Sequence, residues 1–237
     1  MRRVFLILAA LVPAACASNL GAPSEISLPT VAIRADRGTS AADVAGAIRA
    51  AGARVALLAG PADESWFQEV AAAADLELNG PATAGDLGLG FLAMEALGDT
   101  VIELTHPDGR FVVMDALYEV EDERYLDLLA FRVDRPEQAR PIVASLLRYA
   151  ATDVMPSAAV VMAVAVPTVE VGDSVAAMFS PGYFEAVRCE GGPVPTSDRG
   201  GIRLFHGPEA RIFCRGAEVE RTAAGEVIRA RFVMGRR

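Results

Sequence analysis

The stretch that decides the fold is residues 30–74, TVAIRADRGTSAADVAGAIRAAGARVALLAGPADESWFQEVAAAA. Residues 30–34 predict a short strand, and the apolar run 55–59 predicts a second strand that is covered on both faces. A helix is predicted after each strand, so the order is β-α-β-α. Because a strand–helix–strand connection favours right-handed parallel pairing, we expect the first two strands to be parallel neighbours.

Capping signals place the two helices of this unit. Ser40 followed by Asp43 resembles a capping box, and apolar residues at helical spacing continue until Gly52 ends the helix. Asp63 is the predicted N-cap of the second helix, which runs to about residue 74. Both helices therefore begin at a side chain that can accept a hydrogen bond from the first turn.

The remaining chain is predicted to be rich in strands. Residues 79–90 contain several glycines and predict a loop. A helix is predicted over 134–151, with Asp134 as its N-cap. The predicted strands are 100–105, 110–118 and 125–133, which form a meander, then 158–166, a short strand at 169–171, and finally 202–206, 210–214 and 226–234. The predicted class is α+β: a mixed sheet with an N-terminal β-α-β-α unit, an antiparallel meander and a C-terminal β-rich segment.

The first residues have the anatomy of a secretory signal. Arg2 and Arg3 precede an apolar run over residues 4–12, and small residues follow at 13–15. Such a run is too short to span a bilayer core about 30 Å thick. We predict a signal peptide over 1–15, a tether over 16–28 and a single α+β domain over 29–237, with a sub-boundary near residue 187 as an alternative. Export through the general or the twin-arginine route stays open.

Cys16 refines the prediction about the leader. The residues Pro13-Ala14-Ala15-Cys16 resemble the lipobox of bacterial lipoproteins, which implies that Cys16 is lipidated and anchors the protein in a membrane of the bacterial cell envelope. The residue that follows Cys16 implies the outer membrane, facing the periplasm. The alternative is ordinary cleavage after Ala17, which removes Cys16 and leaves a soluble periplasmic or secreted protein.

Charge and composition exclude several kinds of chemistry. All 22 basic residues are arginine, so Schiff-base catalysis, a P-loop lysine and Ser-x-x-Lys acylation are excluded. The net charge of −9 opposes binding to a phosphate backbone. We therefore predict that nucleic acid is not a partner.

Two cysteines follow the leader, Cys189 and Cys214. In an oxidising compartment an even pair predicts a disulfide. Two buried thiols are the alternative.

The C-terminal segment has a charge of its own. Residues 187–237 carry 10 arginines and 6 acidic residues, whereas residues 17–186 carry 10 arginines and 25 acidic residues. Because arginine binds carboxylate and phosphate with two parallel hydrogen bonds, this segment is the predicted contact surface for anionic lipid or an acidic envelope protein. The residues proposed for it are Arg199, Arg203, Arg211 and Arg215. The alternative is a solvated sheet face that pairs with the acidic body of the same protein.

Motifs that would carry catalysis are incomplete. Gly172-Asp173-Ser174 resembles the nucleophile block of lipase-like esterases, but Arg203 stands three positions before His206, where that family has aspartate. His106 and His206 are expected to be surface residues. The acidic group Glu119, Glu121, Asp122, Glu123 and Asp127 is expected to form a solvated hairpin tip rather than a metal site.

The sequence as a whole predicts a non-catalytic accessory, assembly or ligand-binding lipoprotein of the envelope. It predicts no catalytic residue, no cofactor and no metal, and its predicted partner is the membrane, reached through the lipid. The alternative is a periplasmic hydrolase whose site combines dispersed carboxylates and a histidine.

Overall fold

A computed structural model describes most of the chain after the leader. The described residues are 25–84, 86–93, 96–106, 109–121, 123–152, 158–179, 185–186, 188–189, 192–193, 201–208 and 210–235. Within these ranges, every helix is too short or too polar to cross a membrane.

Strands and helices alternate up to residue 74, five strands follow in succession before the third helix, and after residue 185 the described elements are all strands. The helices are α1 (Ala41–Ala50), α2 (Glu64–Ala74), α3 (Pro136–Thr152) and α4 (Val169–Ala176). The strands are β1 (Ile26–Arg34), β2 (Val55–Pro61), β3 (Glu77–Ala84), β4 (Leu87–Ala93), β5 (Gly98–His106), β6 (Gly109–Glu121), β7 (Arg124–Arg132), β8 (Ala159–Val166), β9 (Glu185–Ala186), β10 (Arg188–Cys189), β11 (Gly192–Pro193), β12 (Gly201–Gly207), β13 (Ile212–Thr222) and β14 (Gly225–Met234). The predicted α+β class is confirmed.

The strands form two mixed sheets. The first has the order β11-β10-β13-β14-β1-β2-β4-β3, and the second has the order β5-β6-β7-β8-β12-β9. β1 and β2 are parallel, as the sequence predicts for a crossover through α1. β14 runs antiparallel to β1, so that Ile26 pairs with Met234 at one end and Arg34 with Glu226 at the other.

Three apolar layers hold this arrangement together. One lies between the two sheets, and its largest side chains include Phe91, Tyr118 and Phe232. A second lies between the first sheet and helices α1 and α2, and a third lies between the second sheet and helices α3 and α4. The molecule is therefore a helix–sheet–sheet–helix sandwich, which explains why β2 and β8 are apolar on both faces.

The predicted caps are confirmed in both helices of the opening unit. The Ser40 hydroxyl accepts a hydrogen bond from the Asp43 amide at 3.1 Å, and Asp63 Oδ1 accepts one from the Ser65 amide at 3.0 Å. Trp66 Nε1 donates to the Thr39 carbonyl at 3.0 Å. This bond fastens the start of α2 to the turn before α1.

The predicted loop over 79–90 is wrong, because most of these residues belong to β3 and β4. Gly88 and Gly90 lie within β4 and not in a turn. A Cβ at Gly88 would lie 2.5 Å from the Phe67 ring, and one at Gly90 would lie 2.8 Å from it. The missing side chains make room for a phenylalanine of α2 on a buried strand.

The predicted strand at 169–171 is also wrong, since these residues begin α4. The Thr168 hydroxyl caps the helix by accepting a hydrogen bond from the Val171 amide at 3.3 Å. Val171 and Val175 then lie one turn apart and are both buried. Burial of this stripe overrides the strand propensity of valine.

The two sheets repeat one topological unit. In the first sheet, β1 and β2 are parallel across α1, and β4 joins β2 antiparallel after α2. In the second, β7 and β8 are parallel across α3, and β12 joins β8 antiparallel after α4. The two units also share a backbone hydrogen bond between their parallel strands. It runs from the Ala35 amide to the Ala59 carbonyl at 2.8 Å in the first unit and from the Val133 amide to the Ala165 carbonyl at 3.0 Å in the second. The sequence repeats at the same place, as AIRADR at 32–37 and AFRVDR at 130–135.

Candidate functional site

Charged side chains gather where the strands of both sheets end. β1, β2, β7 and β8 finish at this end of the sandwich, and β12 and β14 begin there. We call it the arginine end and define it by Arg34, Asp86, Arg132, Asp134 and Glu226. These residues come from distant parts of the chain, and only the packing of one sheet on the other brings them together.

Arg34 crosses from the first sheet to the second. Its Nη1 donates to the carbonyl of Val166 at 2.6 Å and to that of Gly201 at 3.4 Å. These residues are the last of β8 and the first of β12. Among the described residues, Nε and Nη2 of Arg34 have no hydrogen-bond acceptor. One edge of the guanidinium is therefore fixed by the protein, and the other can bind a ligand.

Arg132 occupies the equivalent position in the second sheet. Its Nη1 donates to Asp86 Oδ1 at 2.6 Å, and its Nε donates to Asp134 Oδ1 at 2.5 Å. The hydrogen bond from Arg132, followed by its charge, lowers the pKa of Asp86, and the charge of Arg34 adds a smaller effect in the same direction. Both arginines therefore act on one carboxylate.

Glu226 is the buried residue of the arginine end, and it holds the start of β12 in place. Only 6% of it is exposed, and its Oε1 accepts a hydrogen bond from the Ile202 amide at 3.2 Å. A Cβ at Gly201 would lie 1.8 Å from the same oxygen, and Gly201 has a φ of +152°. Position 201 therefore requires glycine. The bond from Glu226 holds the first residues of β12 in place, and Arg34 donates to the carbonyl of the first of them.

Among the described residues, the carboxylates at this end do not gather into a cluster of metal ligands. Divalent cations such as Mg²⁺ and Ca²⁺ need several oxygen ligands around one point. Throughout the described ranges, no group of three or more His, Cys, Asp or Glu side chains has that arrangement. At the arginine end, the acceptor oxygens instead face guanidinium groups.

A second cluster of polar groups lies under α3. Asp127 is only 2% exposed, so the predicted solvated hairpin tip is wrong for this residue. Burial, followed by a hydrogen bond with Asp115, raises the pKa of Asp127 to about 9. Tyr149 of α3 donates to Asp115 Oδ2. Asp127 is therefore protonated at neutral pH and donates to Asp115.

The two histidines lie at opposite ends of the second sheet: β5 ends with His106 at the end where β7 finishes with Arg132, whereas His206 lies away from it. His206 is 2% exposed and packs beside the Phe232 ring, with 5.6 Å between the ring centroids. The expectation that it lies on the surface is wrong. It stands five positions along β12 from Gly201, about 16 Å at the usual rise of a strand. His106 ends β5, and its side chain lies outside the described residues.

The serine of Gly172-Asp173-Ser174 has a structural role. Its Oγ donates to the Glu170 carbonyl at 2.9 Å within α4. A Cβ at Gly172 would lie 2.6 Å from Nε of Arg203, so the glycine makes room for that guanidinium. These residues do not form a nucleophile turn.

Cys189 and Cys214 are joined as a disulfide, with 4.6 Å between their Cα atoms. The bond links β10 to β13, which pair at these two residues. Cys16 lies outside the described residues, so its lipidation stays a prediction that the structure leaves untouched.

Three of the four arginines proposed as a contact surface are described, and each has a partner in the chain. Arg203 pairs with Asp173 at 3.0 Å. Arg211 donates to the Ala158 carbonyl at 3.1 Å, and Arg215 pairs with Glu25 at 2.7 Å. Arg203 and Arg215 lie on different sheets. Arg199 is outside the described residues.

No known protein family matches the sequence, and no curated protein resembles it in sequence. Solved structures do resemble the fold. D. rerio TDP2 in complex with a single-strand DNA product has a TM-score of 0.65 at 14% identity, over 87% of this chain and 98% of that one. An endonuclease/exonuclease/phosphatase family protein from Bacteroides thetaiotaomicron has a TM-score of 0.60 at 8% identity, over 90% and 100%. ANGEL2, a 2',3'-cyclic phosphatase, has a TM-score of 0.58 at 10% identity, over 88% and 95%.

These likenesses correct the functional predictions. The non-catalytic envelope lipoprotein with a membrane partner is contradicted, because the similar structures are named as phosphatase and endonuclease/exonuclease/phosphatase proteins. Nothing in the comparisons supports a lipoprotein or an outer-membrane location. The exclusion of nucleic acid is contradicted by the DNA product in TDP2. At these identities the likeness concerns architecture, and the chain has an α+β fold of the endonuclease/exonuclease/phosphatase type.

Proposed function

We propose that this protein is a hydrolase of phosphate esters and that the arginine end holds the phosphate group. One observation carries the proposal. The fold extends over 87–90% of this chain and 95–100% of proteins named for phosphatase chemistry or for a DNA product. Arginine is the side chain best suited to recognise phosphate, and two arginines meet where the sheets of this fold end.

The residues of the arginine end have separate roles in this proposal. Arg34 binds a phosphate oxygen through its open edge, since its other edge is held by two carbonyls. Charge that develops on the phosphate in the transition state is stabilised by donors that are already in place. Glu226 holds β12 and so keeps Arg34 in position.

Asp86 is the candidate for handling water. Arg132 keeps it ionised, since it lowers the pKa of this carboxyl. An ionised carboxylate can accept a hydrogen bond from the attacking water. The water oxygen bonds to phosphorus, the ester P–O bond breaks, and the leaving oxygen takes up the proton that the water releases. Phosphate, or a phosphomonoester from a diester substrate, is the other product.

The proposal is tested with the full chain on three substrates. These are p-nitrophenyl phosphate, bis(p-nitrophenyl) phosphate and a short single-stranded DNA, each assayed with EDTA and with Mg²⁺. We expect turnover of at least one substrate and a drop of tenfold or more in kcat/KM for Arg132→Gln. Arg215→Gln is the matched control, because it removes an arginine of another ion pair. Absence of turnover on all three substrates, in both conditions and from a folded protein, contradicts the proposal.

A further inference from the structure

We propose that the two repeated arginines, Arg34 and Arg132, form a phosphate clamp that works without a divalent cation. The inference rests on the proposed function, because it concerns the same site. It adds that the two guanidinium groups neutralise the charge of the phosphate and that a carboxylate-bound metal ion does not.

The first support is the repeat. AIRADR and AFRVDR place an arginine at the last residue of β1 and of β7. The next amide in each copy bonds to the neighbouring parallel strand in the same way. The fold therefore presents one guanidinium from each sheet at the same end. Arg34 reaches Val166, which directly follows Ala165, the residue that pairs with Arg132.

The second support is the fate of the carboxylates. Nucleases and phosphatases often clamp phosphate between two metal ions, and such an ion is held by one or two carboxylates that are free to bind it. Here Asp86 and Asp134 bond to Arg132, and Asp36 bonds to Arg221. The buried Glu226 bonds to a backbone amide. A cation at this end would also lie beside two positive charges, which repel it.

The third support is that the two arginines are held by different kinds of partner before phosphate binds. Arg34 is held by carbonyls on the opposite sheet, so little side-chain entropy is lost when it binds an anion. Arg132 must exchange its carboxylates for phosphate. Its partner Asp86 has a side chain that is 90% exposed, so solvent screens this ion pair and weakens it. A phosphate dianion can therefore displace Asp86.

The test is binding of inorganic phosphate to the full chain, measured by calorimetry after exhaustive dialysis against EDTA and again in Mg²⁺. We expect the two Kd values to agree within about twofold, as a clamp built from side chains alone requires. Arg34→Gln and Arg132→Gln should each weaken binding by tenfold or more, whereas Arg215→Gln should not change it. Because Arg34 also bonds to two carbonyls, Arg34→Lys and the melting temperature of each variant are measured in parallel. Arg34→Lys keeps the charge but loses the planar fork, so it should bind more weakly than wild type while remaining folded.

The outcomes separate this inference from the proposed function. If EDTA abolishes phosphate binding and Mg²⁺ restores it, the clamp is overturned and hydrolysis can still stand. If phosphate binds equally in both conditions but no ester is turned over, the clamp stands and the proposed hydrolysis fails. If the folded wild type binds no phosphate in either condition, or if Arg132→Gln binds like wild type, the clamp is overturned.

Discussion

Asp127→Asn should abolish a loss of stability that wild type undergoes as pH rises through neutrality. Asp127 lies under α3, and its protonated carboxyl donates to Asp115. Asparagine has nearly the same shape and also donates a hydrogen bond from its amide nitrogen. The variant therefore keeps the contact but no longer titrates.

The sign and size of the effect follow from linkage. Burial and the Asp115 hydrogen bond raise the pKa of Asp127 to about 9 in the folded state, from 3.8 in its ordinary state. Between these values the folded protein holds one more proton than the unfolded chain, so wild type loses stability as pH rises. The stability that protonated Asp127 contributes is fully present below about pH 4 and is lost as pH rises through about 9. One excess proton corresponds to about 1.4 kcal/mol per pH unit, or about 3 kcal/mol between pH 5 and pH 7.

The assay is urea unfolding of wild type and Asp127→Asn at half-unit steps from pH 5 to pH 8. We expect the free energy of unfolding of wild type to fall, relative to that of the variant, as pH rises. The two slopes should differ by up to about 1.4 kcal/mol per pH unit. Asp173→Asn, which removes a mostly exposed carboxyl on α4, is the control and should follow wild type. Parallel pH profiles for wild type and Asp127→Asn would refute the assignment of a proton to Asp127.

Four further variants test the packing, the helix α1, the disulfide and a buried hydroxyl. Gly90→Ala should lower the free energy of unfolding by about 1–3 kcal/mol, because the new Cβ meets the Phe67 ring at 2.8 Å; Gly46→Ala, with nothing within 4 Å in α1, should raise it by about 0.5–1 kcal/mol in the same urea titration. Replacing Cys189 and Cys214 together by alanine should cost about 3–4 kcal/mol, since the bond closes a loop of 25 positions, and equal melting temperatures for the two proteins would contradict this. Tyr118→Phe should leave thermal stability unchanged or higher, because within the described chain the buried hydroxyl has no hydrogen-bond partner.

The opening unit could be predicted from the sequence because local signals and tertiary packing agree there. Ser40 and Asp63 cap helices in the way their spacing indicates, and the run 55–59 is buried on both faces. The signals at 79–90 conflict with the packing. Gly88 and Gly90 have the composition of a loop, yet they are glycines because Phe67 fills the space above them. Nothing local in the sequence indicates that aromatic ring.

The candidate site was missed for a related reason. Arg34 and Arg132 each look like an ordinary charged residue at the end of a strand, and only the pairing of two sheets brings them together. The repeat of AIRADR as AFRVDR was the one available signal, and it is too short to be noticed without the topology. The sequence predicts a solvated turn at Asp127 because acidic residues surround it. Its alternation with Tyr125 and Leu129 along β7 instead places it on the face that α3 covers.

The antiparallel pairing of β1 with β14 has a practical consequence for handling the protein. Ile26 and Met234 are partners at one end of these strands, and Arg34 and Glu226 are partners at the other. Eight steps along β1 separate the two ends by about 26 Å. The described chain thus enters and leaves the sandwich side by side, opposite the arginine end. A surface coupled at residue 25 or 235 would hold the molecule with the arginine end facing the solution, so immobilisation there need not shield that end from an incoming ligand.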